Sequence, residues 1–163
     1  MDVSQRASGL QRTICWIIIG GVLLGAAYGT KLAFDGMTKP RPLVQLGQAT
    51  FRAEVAKTSA EREQGLAGRT ELAGDQALLL VFETNDHWGV WMKGMRIPID
   101  IVWLDEHKKV VHVQQQVWPD AEPHETYRPP KPARYVLELA AGSAKQHAIR
   151  VGAQARFSLE DKT

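Results

Sequence analysis

Hydrophobic and polar positions alternate with a strand period over most of the chain after residue 48. Ala49 to Ala56 (ATFRAEVA) sends Phe51, Ala53 and Val55 to one face, and Arg134 to Leu139 (RYVLEL) does the same with Tyr135, Leu137 and Leu139. The most regular pattern lies in Val90 to Leu104 (VWMKGMRIPIDIVWL). There Ile97, Ile99, Ile101 and Trp103 alternate with Pro98, Asp100, Val102 and Leu104. Ala77 to Phe82 (ALLLVF) is a continuous apolar run of strand length and predicts burial on both faces. Lys109 to Val117 sets Val111, Val113 and Val117 against His112, Gln114 and Gln116, a half-exposed strand, with Asp105-Glu106-His107 as the turn before it. Ala155 to Leu159 predicts a closing strand. Helices are few and short. Thr58 and Glu61 form a capping-box pattern ahead of Ser59 to Ala67, with Gly68 as a stop, and Gly142 to Ala148 is the second. Strands that mostly follow strands predict a mainly β fold, a mostly antiparallel sandwich or barrel with two short helices.

The N-terminal end follows another rule. Arg6 and Arg12 precede Ile14 to Gly29 (ICWIIIGGVLLGAAYG), which is uncharged and mostly apolar. Sixteen helical residues reach about 24 Å, just short of a ~30 Å hydrocarbon core, and Leu32 to Phe34 extend the span if Lys31 snorkels. The small residues at Gly25-Ala26-Ala27 and Ala27-Tyr28-Gly29 also fit a cleaved signal. Either reading exports the remainder of the chain. Lys31 to Pro42, with Gly36, Pro40 and Pro42, is a stiffened spacer. The division is therefore residues 1–30 as membrane or signal segment, 31–42 as linker and 43–163 as one β-rich domain.

Charge excludes one class of partner. The chain has 20 basic and 18 acidic residues; without residues 1–29, 18 and 17 remain. Such a near-balance argues against a nucleic-acid groove. Cys15 is the one cysteine, so the domain has no internal disulfide and no thiolate metal site. Cys15 also precedes most of its apolar run, the wrong side for a lipidation cysteine.

Several blocks, in order, resemble the DUF192 (UPF0127) family: TSAEREQGLAGR (58–69), ALLLVF (77–82), WMKGMRIPIDIVWLD (91–105) and YRPPKPARYVLELAAG (127–142). The similarity covers roughly residues 44–160. Members are of unknown function and often exported, so the resemblance implies a compact β-rich fold and an exported location, and no reaction. Two places depart from the family's usual pattern. Gly94-Met95 stands where Asn-Thr is common, and Glu122-Pro123-His124-Glu125 occupies a loop where many relatives carry cysteines.

The candidate ligand site is Trp91, Lys93, Asp100 and Arg134. Asp100, charged within an apolar strand, needs water, a partner or a donor. In one reading Lys93 and Asp100 orient a ligand against Trp91; in the other Asp100 caps a turn or pairs with Arg96 or Arg134 and fixes register. Trp103 reads as core, while Trp88, Trp91 and Trp118 fit either core or a stacking surface. The 15-residue loop Trp118 to Pro132, with five of the eight prolines, is expected to be ordered and to lie over the domain. His87, His107, His112, His124 and His147 have no ligand spacing, leaving only a meeting of His87 and His124 with Asp86 or Glu125 for a metal. Nucleophile elbow, phosphate loop and dinucleotide fingerprint are all missing, so neither metal nor cofactor is expected. These features point to an exported binding or accessory module of the cell envelope, held by its N-terminal segment and meeting an envelope polymer or protein. The alternative is an envelope hydrolase acting on polysaccharide or peptide through Asp100, paired with Glu83 or Asp86.

Overall fold

The structure is a computed structural model that describes residues 41–121 and 123–159. The segment 1–30, Cys15 and the linker up to residue 40 lie outside the described residues. Among those described, no helix is long and apolar enough to cross a membrane.

Among the described residues, eight strands and two short helices follow the order β1 (Leu43–Leu46), β2 (Ala49–Ala56), α1 (Ser59–Gln64), β3 (Gln76–Asp86), β4 (Val90–Trp91), β5 (Ile99–Leu104), β6 (Val110–Val117), β7 (Thr126–Tyr127), β8 (Ala133–Ala140) and α2 (Ser143–Gln146). Six of the strands form one mixed sheet in the order β1–β2–β3–β8–β5–β6. Its pairings are antiparallel except that between β2 and β3, which run parallel. That exception has a simple cause: the connection through α1 returns the chain to the end of the sheet from which β2 began. β4 and β7 form a separate antiparallel ribbon.

The capping box predicted for α1 is present. Thr58 Oγ1 accepts from the Glu61 N–H at 3.2 Å, and a Glu61 carboxylate oxygen accepts from the Thr58 N–H at 3.0 Å. The helix ends at Gln64 rather than Ala67, because Gly65 (φ 47°, ψ −131°) takes a conformation closed to other residues. Thr58→Ala should lower stability by about 1 kcal/mol, read as a lower denaturation midpoint with an unchanged m-value.

Two apolar clusters lie on opposite faces of the sheet. One gathers Phe51, Leu79, Val102, Leu137 and Leu139; the other Leu80, Ile101, Trp103, Val136 and Met92. The central strands β3, β8 and β5 feed both, and every residue of β5 is buried. On β6 the predicted alternation fails. Register shifts against β5 insert extra residues near Val111 and Gln116, the latter at φ 51°. A bulge reverses which face the following side chains meet. Val113 therefore packs on the first cluster, Val111 and Val117 on the second.

The expected strand at 155–159 is replaced by isolated bridges, Arg156 to Gln45 and Gln154 to Lys109. The N–H groups of Gln45 and Arg156 each donate to the other's carbonyl at 2.9 Å, and Val110 N–H donates to Ala153 O at 2.9 Å. This segment thus occupies backbone groups at both edges of the sheet, beside β1 and at the start of β6.

Candidate functional site

Glu138 sits near the middle of β8, opposite Leu78 of β3 on one side and Ile101 of β5 on the other. Its face of the sheet is the one covered by α1 and by residues 88–95. The side chain is 4% exposed, and Oε2 has no hydrogen-bond partner among the described residues. An unmet buried polar atom costs about 1–3 kcal/mol, so a folded protein that keeps one has some reason to do so. Burial pushes the Glu138 carboxyl up from 4.5 to about 7, against the smaller opposing pull of the Arg69 charge. Arg69 is itself engaged with Glu54, its Nη1 donating at 3.2 Å, and Arg41 joins that carboxylate at 3.1 Å.

Glu138 opens onto a cleft of about 220 Å³. One wall comes from α1 and its exit, with Arg62, Glu63, Gly65 and Leu66; the other from Trp88 to Met95; Leu80 and Phe82 share the floor with Glu138. Gly65 has a direct part in this shape, since a Cβ there would stand 3.9 Å from Glu138 Oε2. The two walls are tied by the Gly68 N–H donating to Gly94 O at 2.8 Å. Met92, buried, pins the second wall to the sheet, while Trp91 remains 45% exposed.

The cationic side chains of the cleft lie over its rings. The Arg62 guanidinium is 4.8 Å from the Phe82 ring centroid, and Lys93 Nζ is 5.8 Å from that of Trp91. Arg62 also donates to Val81 O at 3.0 Å, to Lys57 O, and to Ser59 Oγ at 3.3 Å. Trp88 stacks on Phe82 at 4.4 Å, and its backbone carbonyl accepts from Trp103 Nε1 at 2.9 Å. The tryptophans thus divide: Trp103 is core, Trp88 is half-buried, and Trp91 and Trp118 are exposed.

Of the four residues singled out from the sequence, Trp91 and Lys93 line the cleft, and Asp100 and Arg134 do not. Asp100 pairs across the sheet with Leu139 and therefore faces the opposite cluster. It is fully buried with both oxygens engaged: Oδ1 accepts from the Gln116 N–H at 2.8 Å and Oδ2 from the Ala144 N–H at 2.7 Å. Those contacts hold the β6 bulge and the first turn of α2, whose cap residue Gly142 offers no side chain. The partners are backbone amides, so of the two structural alternatives Asp100 follows the capping one and pairs with neither Arg96 nor Arg134. Arg134 instead donates from Nε to Phe82 O at 3.4 Å.

The proline-rich loop lies against the same region. Through β7 it pairs with β4, and the Arg128 guanidinium donates to His87 O at 3.0 Å. Gly89 is required at this junction, because a Cβ there would meet Thr126 Cγ2 at 2.6 Å. His87 Nδ1 lies 2.9 Å from Pro129 O and His124 Nδ1 2.7 Å from Asp120 Oδ1. Among the described residues no three His, Cys, Asp or Glu side chains converge as metal ligands.

The cleft and the mixed sheet beneath it define a small β-rich domain with one buried acid under an aromatic wall. Residues 43–157 match the DUF192 family, described as an "Uncharacterized ACR", and the chain belongs to it. No curated protein matches. Among solved structures, a protein of unknown function from Novosphingobium aromaticivorans is similar at 28% identity and a TM-score of 0.64, over 70% of this chain and 83% of that one. A Sinorhizobium meliloti protein named as a "putative transcription regulator" is similar at 25% identity and a TM-score of 0.66, over 74% and 96%.

Proposed function

We propose that the protein is an exported binding module of the cell envelope. Residues 1–30 address it to the membrane, and the domain beyond them meets an envelope polymer through the Glu138 cleft. The observation that carries this reading is the buried Glu138 carboxyl in the floor of an aromatic-walled cleft, a group whose Oε2 no described residue satisfies. At about 220 Å³ the cleft is smaller than the ~300–1,000 Å³ of sites for drug-sized molecules, and it suits one terminal unit of a longer ligand. The regulator name of the Sinorhizobium relative is not adopted, since the near-balanced charge argues against a phosphate-binding surface.

Detergent-solubilised full-length protein should bind immobilised envelope polymers. The Trp91→Ala/Lys93→Ala protein should bind at least tenfold more weakly, as expected where a ring contact and a charge are lost together. Binding unchanged in that variant would remove the cleft from the reading. Protease added to spheroplasts should degrade residues 43–163; their protection would rule out export.

One observation favours a second reading, an envelope hydrolase, with Glu138 in the place that the sequence offered to Asp100. A carboxyl held near 7 in a cleft suits general acid–base work. Turnover of an envelope polysaccharide or peptide that disappears in Glu138→Gln would select it; binding without turnover leaves the module.

A further inference from the structure

The charges of the cleft point to the chemistry of its ligand. Arg62 and Lys93 line it, and among the described residues neither makes an ion pair with a carboxylate: Arg62 bonds to backbone carbonyls and Ser59, and Lys93 lies over Trp91. The acids facing the space are Glu63, exposed on α1, and Glu138, buried at the floor. Arg69, beyond the α1 wall, has its charge met by Glu54. Phe82 and Trp91 each already hold one of the protein's own cations over a ring face. We propose, resting on the binding reading above, that the cleft takes a terminal carboxylate with an apolar body, which enters facing Arg62 and Lys93 with the Glu138 carboxyl beneath it.

Binding is then coupled to a proton. The ligand carboxylate is ionised throughout the neutral range, while Glu138, pushed up to about 7, loses its proton across that range. A protonated carboxyl donates to an anion, whereas an ionised one repels it. Affinity for a carboxylate should therefore fall as pH rises, by about tenfold between pH 6 and 8. A cationic ligand would show the opposite slope, and a neutral hydroxyl little slope.

The test uses three probes of one shape, benzoate, benzyl alcohol and benzylamine, titrated into full-length protein in detergent by saturation-transfer NMR at pH 6 and pH 8. Benzoate is expected to bind best at pH 6 and about tenfold more weakly at pH 8. Glu138→Gln, whose amide donates at every pH, should flatten the pH dependence of benzoate binding; Lys93→Ala should weaken binding at both values. Preference for benzylamine, or benzoate affinity equal at both pH values, overturns the carboxylate inference. If no probe binds while polymer binding is still lost in Trp91→Ala/Lys93→Ala, the inference fails and the module stands. If no probe binds and polymer binding is unchanged in that variant, both fail.

Discussion

Asp100→Ala should lower the stability of the domain by on the order of 3–5 kcal/mol, out of the 5–15 kcal/mol typical of a folded domain. The loss has an identified origin. Each Asp100 oxygen accepts one backbone N–H, from Gln116 in the β6 bulge and from Ala144 in the first turn of α2. Removing the carboxyl leaves two inward-facing donors unmet, each costing about 1–3 kcal/mol. Asp100→Asn should lose roughly half as much, because its amide keeps one acceptor and turns a donor toward the other N–H. Denaturation midpoints of the three proteins test this, with ligand binding measured where all are folded. A midpoint in Asp100→Ala equal to that of the parent would show that the two amides find other partners. Loss of binding without loss of stability would return Asp100 to the functional site.

Glu138→Gln should have the opposite effect, one that grows as pH rises above about 4.5 and levels off above about 7. A glutamate exposed in the unfolded chain titrates near 4.5, whereas in the folded protein Glu138 is pushed up to about 7. Between those values the folded protein holds a proton that the unfolded chain has released. The stability this proton provides is complete below about 4.5, declines as pH rises through 7, and is absent by pH 8. The total is on the order of 3 kcal/mol. Glutamine is neutral at every pH, so the variant should match the parent near pH 4 and exceed it at pH 8. Comparing the two proteins at each pH cancels the titration of all other groups. A difference that stays constant from pH 5 to 8 would mean that Glu138 keeps an ordinary pKa, and the proton-coupled ligand would fall with it. A substitution that stabilises the fold while altering ligand recognition marks a group retained for function at a cost to stability.

Much of the fold was legible in the chain because side-chain period follows directly from backbone geometry. β2 lies where its alternation put it, Trp103 is core, and the Thr58–Glu61 cap is formed. These are local properties, decided by residues within a few positions of one another. β4, β7 and the bridges at residues 154–156 were not legible in this way. Two-residue ribbons and isolated bridges carry no periodicity, and their partners lie far away in sequence.

The site divides along the same line. Trp91 and Lys93 stood out as an aromatic and a charge beside a turn, and both line the cleft. Asp100 stood out equally, but which face it occupies and what it bonds depend on a bulge in β6 and on a helix 44 residues later. Glu138 did not stand out at all. In RYVLEL it occupies the polar phase of a strand pattern, which on a half-exposed strand would face water. By itself the sequence determined the strand phases, the cap and the aromatic edge of the cleft, because these depend on neighbours along the chain. Only the tertiary structure decided that β8 lies between β3 and β5 with both faces covered, which buries Glu138 under the exit of α1 and raises its pKa. Burial is set by what packs above a residue, and for Glu138 the covering segments come from 65–66 and 88–95, distant in sequence.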